Sequence, residues 1–212
     1  MSTEKAAEKL NNTLPEKTNT REKILETAIE LFAEKGFNGT TTKEIAEAAE
    51  VNESLIFRHF STKRELYGAI IEKKIDDEPG IELPIQTYKD SKDDHLIFKS
   101  IAERMLDKCG KDSSFIRLLH FSALEGHELS DMFFSTYVEY VDMLLCDYIE
   151  GRIAEGAFKN VHPLCASQAF IGMVVNHIIV QELFGGKRRD EINNDELVET
   201  FVTVFLNGIK TK

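Results

Sequence analysis

The 212-residue chain has few cysteines and lacks the patterns in which cysteines usually cooperate. Cys109, Cys146 and Cys165 are an odd number, lie far apart and form no C-x-x-C pair. This spacing argues against a disulfide framework and against a cysteine-based zinc site, since both use ordered pairs. We therefore expect buried, reduced thiols, as in a protein of the cytoplasm.

Long apolar runs are also missing from the sequence. No run approaches the ~18 residues that cross a bilayer, and Met1–Thr20 is polar with mixed charge, unlike a signal or transit peptide. We therefore predict no membrane partner. The hydrophobic residues, 42% of the chain, are still enough to bury a substantial core.

Common catalytic motifs are absent as well. The sequence has no glycine-rich phosphate loop, no G-x-S-x-G elbow and no H-E-x-x-H zinc helix, so we predict neither an enzyme nor a cofactor. His120 and His127 lie two helical turns apart with Glu128 nearby, which leaves an all-α metal sensor as an alternative. Because a metal site needs three or four convergent ligands, ordinary histidines are favoured and no metal site is predicted.

The net charge of −11 argues against nucleic-acid affinity over the whole surface. The charge is unevenly distributed, however. Residues 21–75 hold nine basic and ten acidic residues, so nearly all of the acidic excess lies after Ile75. Residues 51–64 carry a net charge of +2. A local cationic segment on an acidic body is typical of a protein that touches DNA at one end only.

The segment Thr40–Arg64 contains this cationic stretch and predicts two short helices joined by a tight turn. Thr41 is a good N-cap, and Glu44 completes a capping box. The first helix has a narrow apolar stripe, formed by Ile45, Ala46 and Ala49. Val51 fills the turn, and Asn52 can cap the second helix.

The second helix separates apolar from polar residues. Its inward residues are Leu55, Ile56 and Phe60, and the residues near or on its outer side are Ser54, Phe57, Arg58 and His59. A short helix with a polar, cationic outer face, held across another helix, fits the major groove of DNA. An all-α module that binds another protein is a further alternative.

The flanking residues sharpen this interpretation. The ordered set is Arg21, Ile24, Leu25, Ala28, Leu31, Phe32, Gly36, Phe37, Thr41, Thr42, Ile45, Ala46, Ala49, Val51, Phe57, Arg58, His59, Phe60, Lys63 and Leu66. Over about residues 20–75 it resembles the N-terminal domain of TetR-type (tetracycline-repressor-like) transcriptional regulators. The chain departs from that pattern at Glu50, where the family usually has glycine in the turn, and at Phe57, where tyrosine is frequent.

We predict an all-α fold in three parts: a disordered tail over residues 1–19, a helix-turn-helix DNA-binding domain over 20–77, and a ligand-binding and dimerisation domain over 78–212. A first helix spans Arg21–Lys35, and a fourth runs from Thr62 to about Asp77. Pro79, Gly80 and Pro84 then begin a linker that reaches Lys92. Later helices are predicted for His95–Cys109, Phe115–Leu124, Leu129–Ala154 and Pro163–Phe184, with a last one opening at Asn194 or Asp195.

The last two predicted helices carry more apolar surface than one chain can bury, which predicts an isologous homodimer. The resemblance implies the same dimer, bound to an inverted-repeat DNA operator and responsive to a small, largely apolar effector. By the resemblance, phosphate or sugar contacts fall to Thr42, Phe57, His59 and Lys63, and base-edge or neighbouring phosphate contacts to Asn52, Glu53, Ser54 and Arg58. Candidates for the effector pocket are Phe98, Met105, Phe121, Tyr137, Tyr140, Met173 and His177, each of which also suits an ordinary core.

Overall fold

A computed structural model describes residues 14–76, 84–111, 113–126, 128–184 and 192–211. In the N-terminal part, the helices are α1 (Leu14–Lys35), α2 (Thr42–Ala48), α3 (Glu53–His59) and α4 (Lys63–Asp76). They are followed by α5 (Pro84–Tyr88), a 3-10 turn (Lys89–Ser91), α6 (Asp94–Lys111), α7 (Ser114–Leu124), α8 (Glu128–Phe133), a π-helical turn (Phe134–Val138), α9 (Glu139–Ala154), α10 (Pro163–Glu182) and α11 (Asn194–Ile209). The described residues form no β-strand beyond one isolated bridge between Phe158 and Lys210, which confirms the predicted all-α class.

The chain divides into two compact units. One contains the residues up to 77 together with Arg117–Asp131, and the other contains 78–116 and 132–212. The predicted domains over residues 20–77 and 78–212 stay a prediction. The assignment of Arg117–Asp131 to the N-terminal unit is a feature that the sequence did not predict.

The N-terminal unit is built around α1. Its predicted apolar stripe is buried at Ile24, Leu25, Ala28 and Phe32, and α2, α3 and α4 each pack against this helix. Gly36 ends α1 in the left-handed conformation, with φ of 74°, as expected for a residue just after a helix. The short helices α2 and α3 therefore rest on a rigid support.

The other unit has its own core. Helix α6 packs against α10 and α11, and α9 packs against α10. The rings of Phe98, Phe170 and Phe205 meet at the centre, with centroids 4.8 to 5.1 Å apart. Aromatic rings at such distances contribute to stability beyond the area that they bury.

Two proline-containing segments differ from the sequence-based prediction. Helix α1 begins at Leu14 rather than Arg21, so residues 14–19 of the expected tail are helical; residues 1–13 lie outside the described part. The expected linker contains α5 and the 3-10 turn. Pro15 and Pro84 both stand in the first turn of a helix, where proline is favoured because no N–H partner is needed there.

Two other helices also differ from the prediction. Helix α7 begins at Ser114 rather than Phe115, and it buries Leu118 and Ser122 while Leu124 is 86% exposed. The expected long helix from Leu129 to Ala154 is divided by the π-helical turn. A π-helical turn accommodates one extra residue, so the side chains before and after it change face.

Candidate functional site

The helix-turn-helix begins with the predicted capping box. The Thr41 hydroxyl accepts the Glu44 N–H at 3.1 Å, and the Glu44 carboxylate accepts the Thr41 N–H at 2.8 Å. The Lys35 ammonium also lies 3.1 Å from this carboxylate. The backbone hydrogen bond from Thr41, followed by the bond from Lys35, lowers the pKa of Glu44 to about 2. The start of α2 is therefore fixed at neutral pH.

The turn between α2 and α3 has an unusual backbone. Glu50 adopts φ of 53°, the left-handed region that favours glycine. Its side chain is exposed and lies 3.0 Å from the Lys23 ammonium on α1. At the position where the family usually has glycine, this chain therefore holds a glutamate in the left-handed conformation. Val51 follows, with its N–H bonded to the carbonyl of Ala46 at 2.9 Å.

Helix α3 presents the predicted face. The Asn52 side chain accepts the Ser54 N–H at 2.9 Å, so Asn52 is the N-cap. Ile56 is fully buried and Phe60 is 2% exposed, whereas Leu55 is only half-buried. On the outer side, Ser54, Phe57 and Arg58 are exposed and His59 is half-buried. The result is a short, firmly anchored helix with a guanidinium and an aromatic ring facing solvent.

Thr42 and Glu53 are joined in a way that the sequence did not predict. The Thr42 hydroxyl donates to the Glu53 carboxylate at 2.6 Å, and Glu53 is half-buried. The bond connects the first residue of α2 to the first residue of α3. The resemblance implied a contact of Glu53 with a base edge or a neighbouring phosphate, and the structure adds the role of holding the two helices together.

Lys63 is also more constrained than its predicted phosphate contact implies. Its ammonium donates to the carbonyls of Phe37 and of Thr40, the latter at 2.6 Å, and lies 4.1 Å from the centre of the Phe37 ring. Burial lowers the pKa of Lys63, opposed by the charges of Glu125 and Glu44. Arg58 and Arg64 are the exposed cations of residues 51–64.

The turn between α1 and α2 is held by a residue that sequence reasoning missed. The Glu125 carboxylate, just after α7, accepts the N–H groups of Phe37 at 3.2 Å and Asn38 at 3.4 Å. The Tyr67 hydroxyl donates to the carbonyl of Leu118 in α7 at 3.2 Å, and burial raises the pKa of Tyr67 to about 12. No sequence signal pointed to Glu125, because it lies 87 residues or more from its partners.

The seven candidates for the effector pocket do not line one common cavity. Phe98 is fully buried in the core of the second unit, and Met105, Tyr140 and Met173 pack at the edge of that core. The rings of Tyr137 and His177 lie 5.3 Å from Phe133 and 6.2 Å from Phe201. Phe121 belongs to the other unit, as part of Arg117–Asp131.

A surface cleft of about 310 Å³ lies elsewhere in the second unit. It is lined by Ile85, Gln86, Lys89, Asp90, Lys92, Leu144, Asp147, Tyr148, Gly151, Arg152 and Glu155. None of the seven candidates lines it, so their role in effector binding stays a prediction. Across the described residues no group of three or more metal-ligating side chains comes together, and His127 of the proposed metal pair lies outside those residues.

Comparison with known proteins matches both parts of the chain. Residues 24–70 match the bacterial regulatory proteins of the tetR family, and residues 99–208 match the C-terminal domain of AefR-like transcriptional repressors. The HTH-type transcriptional repressor Rv3405c of Mycobacterium tuberculosis is 34% identical over 174 residues, which cover 81% of this chain and 84% of the relative.

Solved structures share the fold. A TetR-family transcriptional regulator from Mesorhizobium loti has a TM-score of 0.69 at 18% identity, covering 92% of this chain and 98% of that one. AibR in complex with isovaleryl coenzyme A and operator DNA has a TM-score of 0.61 at 20% identity, covering 87% and 97%.

The fold and the exposed face of α3 define a helix-turn-helix DNA-binding protein. The matches to both parts, together with the mycobacterial relative, identify its family. The chain belongs to the TetR family of transcriptional regulators.

Proposed function

We propose that this protein is a homodimeric, ligand-responsive repressor that binds an inverted-repeat operator and is released by a small, largely apolar effector. The observation that carries the proposal is the exposed outer face of α3, where Arg58 projects from a helix anchored by the buried Ile56 and Phe60. Regulation on this account is by binding alone, in the cytoplasm, without a metal or a cofactor.

Arg58 is the residue that we assign to base recognition. A guanidinium can donate two parallel hydrogen bonds to O6 and N7 of guanine in the major groove. Ser54 and Phe57 are exposed beside Arg58, so a hydroxyl and an apolar ring reach the same groove. Thr42, Asn52, Glu53, His59 and Lys63 complete the proposed DNA contacts. Lys63 donates two of its three ammonium N–H groups to carbonyls, so the third remains for a phosphate contact.

The homodimer is supported by the outer face of α10. Only 28% of the most apolar eighteen-residue window of this helix is buried within the chain. Its exposed residues include the small Cys165, Ala169 and Gly172, which permit close approach of a second helix. The exposed Cys165 corrects the expectation that the thiols are buried within the chain. The same face carries Gln168 and Asn176, and such polar groups favour a protein partner over lipid.

The operator geometry follows from two-fold symmetry. A symmetric dimer places its two α3 helices in successive major grooves about 34 to 36 Å apart, so the operator reads as an inverted repeat. An effector releases the repressor if it binds better to a dimer whose α3 helices have another spacing. The AibR complex with isovaleryl coenzyme A and operator DNA supports a response to a ligand, since that neighbour binds both a ligand and DNA.

The test has two stages. First, the wild-type protein selects binding sites from random-sequence DNA at fixed salt, and we expect inverted repeats to be enriched. Binding to the selected operator should then weaken steeply with salt, because phosphate contacts release counterions. Failure to select any sequence, or selection without symmetry, would contradict the proposal.

In the second stage, Arg58→Ala should lose about 1–3 kcal/mol of operator binding, measured by titration at the same salt. Arg58→Lys is the matched control, since it keeps the charge and loses the planar fork. We expect the lysine variant to keep the salt dependence of the wild type while its preference for guanine becomes weaker. Unchanged operator affinity in Arg58→Ala would show that Arg58 does not read the operator.

A further inference from the structure

One side-chain hydrogen bond joins the N-terminal ends of α2 and α3. The Thr42 hydroxyl donates to Oε1 of Glu53 at 2.6 Å. Thr42 is the first residue of α2, Glu53 is the first residue of α3, and both residues are half-buried. Hydrogen bonds to a carboxylate are among the stronger ones in proteins. The bond therefore orders the Glu53 side chain in the protein before DNA binds.

The bond leaves one oxygen of the Glu53 carboxylate available. A carboxylate has two acceptor oxygens, and Oε2 of Glu53 has no hydrogen-bond partner in the described part of the chain. The Thr42 hydroxyl, in contrast, has a single proton, which it donates to Glu53. While this bond is kept, the hydroxyl cannot donate to a phosphate, so its effect on DNA passes through Glu53.

Glu53 lies at the end of α3 that reads DNA. In a helix-turn-helix, the N-terminal residues of the second helix contact base edges in the major groove. The next residue, Ser54, is exposed, as is Arg58, the residue that we assign to guanine. Phosphates on both sides of the groove repel a carboxylate. Glu53 therefore favours binding only where a base donates a hydrogen bond to it.

The chemistry of the base edges selects one base. Two groups donate in the major groove, the N4 amino group of cytosine and the N6 amino group of adenine. Adenine also presents the acceptor N7 beside its amino group, and this lone pair repels a carboxylate. Cytosine presents no acceptor in the major groove, so a fixed carboxylate at this position favours cytosine.

We propose that Thr42 is a positioning residue for base recognition: its hydroxyl holds the Glu53 carboxylate so that Oε2 accepts the N4 amino proton of one cytosine in each half-site. This inference rests on the proposed function and deepens it, since it names a base of the operator and the oxygen that reads it. A side chain that is ordered before binding loses less conformational entropy on the DNA. The bond from Thr42 therefore strengthens the contact with cytosine.

The test uses the operator selected by the wild type, with each cytosine of the half-site replaced in turn by N4-methylcytosine. The methyl group takes the place of the amino proton in the major groove, while the base pair and the guanine edge are kept. The modification penalty is the ratio of the affinities for the unmodified and the modified operator, titrated at fixed salt. For the wild type we expect a penalty of at least about fivefold at one cytosine, the lower end for a good base contact.

Four variants are compared at that cytosine. Glu53→Ala should show no penalty, because the acceptor is gone. Thr42→Val removes the hydroxyl, and the penalty should fall at least about twofold, the lower end for one hydrogen bond, whereas Thr42→Ser should restore it. Glu34→Gln controls for lost charge, because Glu34 is exposed on α1, and it should keep the full penalty.

An equal penalty in the wild type and in Glu53→Ala would overturn the proposal, since a clash with the methyl group would then explain it. An unchanged penalty in Thr42→Val would also overturn it, because Glu53 would then need no positioning. A wild type that selects an inverted repeat but is insensitive at every cytosine would refute the inference and leave the proposed function intact. If the wild type selects no inverted repeat, the proposed function itself fails.

Discussion

In the part of the chain that the structure describes, Asp94 is a buried acidic residue, with 3% of its surface exposed. Its oxygens accept hydrogen bonds from Arg152 at 2.8 and 3.1 Å and from the Tyr148 hydroxyl at 2.6 Å, and Lys210 lies 3.2 Å away. A buried charge is tolerated only when it is paired and hydrogen-bonded. This group therefore connects the start of α6 to α9 and to the end of α11.

The same group predicts how the stability depends on pH. Burial raises the pKa of Asp94, but the bonds from Arg152, Tyr148 and Lys210 outweigh it, so the pKa lies below 3.8. A carboxylate whose pKa is lowered by folding stabilises the protein above its unfolded pKa and loses that effect as pH falls through the folded value. Asp94→Asn should lower the free energy of unfolding by about 3 kcal/mol at pH 7. The difference in this free energy between the variant and the wild type should shrink below about pH 4.

Urea unfolding at pH 7 and at pH 3 measures this difference. Asp147→Asn is the control, because Asp147 is exposed on α9, and its effect should be small at both pH values. A difference between Asp94→Asn and the wild type that stays constant from pH 7 to pH 3 would contradict the role of the ionised carboxylate.

At the scale of elements, the turn between α2 and α3 carries a measurable strain. A non-glycine residue in the left-handed conformation destabilises the fold by about 1 kcal/mol. The exposed ion pair of Glu50 with Lys23 offsets at most a part of this cost. Glu50→Gly should therefore raise the free energy of unfolding by up to about 1 kcal/mol.

Thermal or urea unfolding tests the Glu50 prediction against Glu30→Gly. Glu30 is solvent-exposed and lies in the middle of α1. Glycine at this position should lower the free energy of unfolding by about 1 kcal/mol. The opposite signs of the two substitutions are the expected result. A destabilised Glu50→Gly would show that the ion pair outweighs the strain in the turn.

Local elements were predictable from the sequence because their causes are local. The capping pairs Thr41–Glu44 and Asn52–Ser54 act over three residues or fewer, and both are present. The bond from Thr42 to Glu53 and the contacts of Lys63 and Glu125 join residues 11 to 88 apart. These contacts depend on which helices the folded chain brings together, and no spacing in the sequence specifies that.

The whole molecule, on our account, is a dimer formed through the exposed face of α10. Ala169→Glu places a charge in that face, and an unpaired charge buried between apolar surfaces costs several kcal/mol, so the dimer dissociation constant should rise about 100-fold or more. Sedimentation equilibrium measures it. Met143→Glu is the control, since Met143 is also exposed and apolar but lies on α9. Equal dissociation constants for the two variants would place the interface elsewhere.

Methylation protection of guanine N7 on the selected operator tests the central claim most directly. The reagent attacks the major-groove atom that we assign to Arg58. We predict two symmetric sets of protected guanines about 10 base pairs apart on one face of the DNA, and loss of that protection in Arg58→Ala. Protection in one groove only, or at the same guanines in the wild type and Arg58→Ala, would contradict the account.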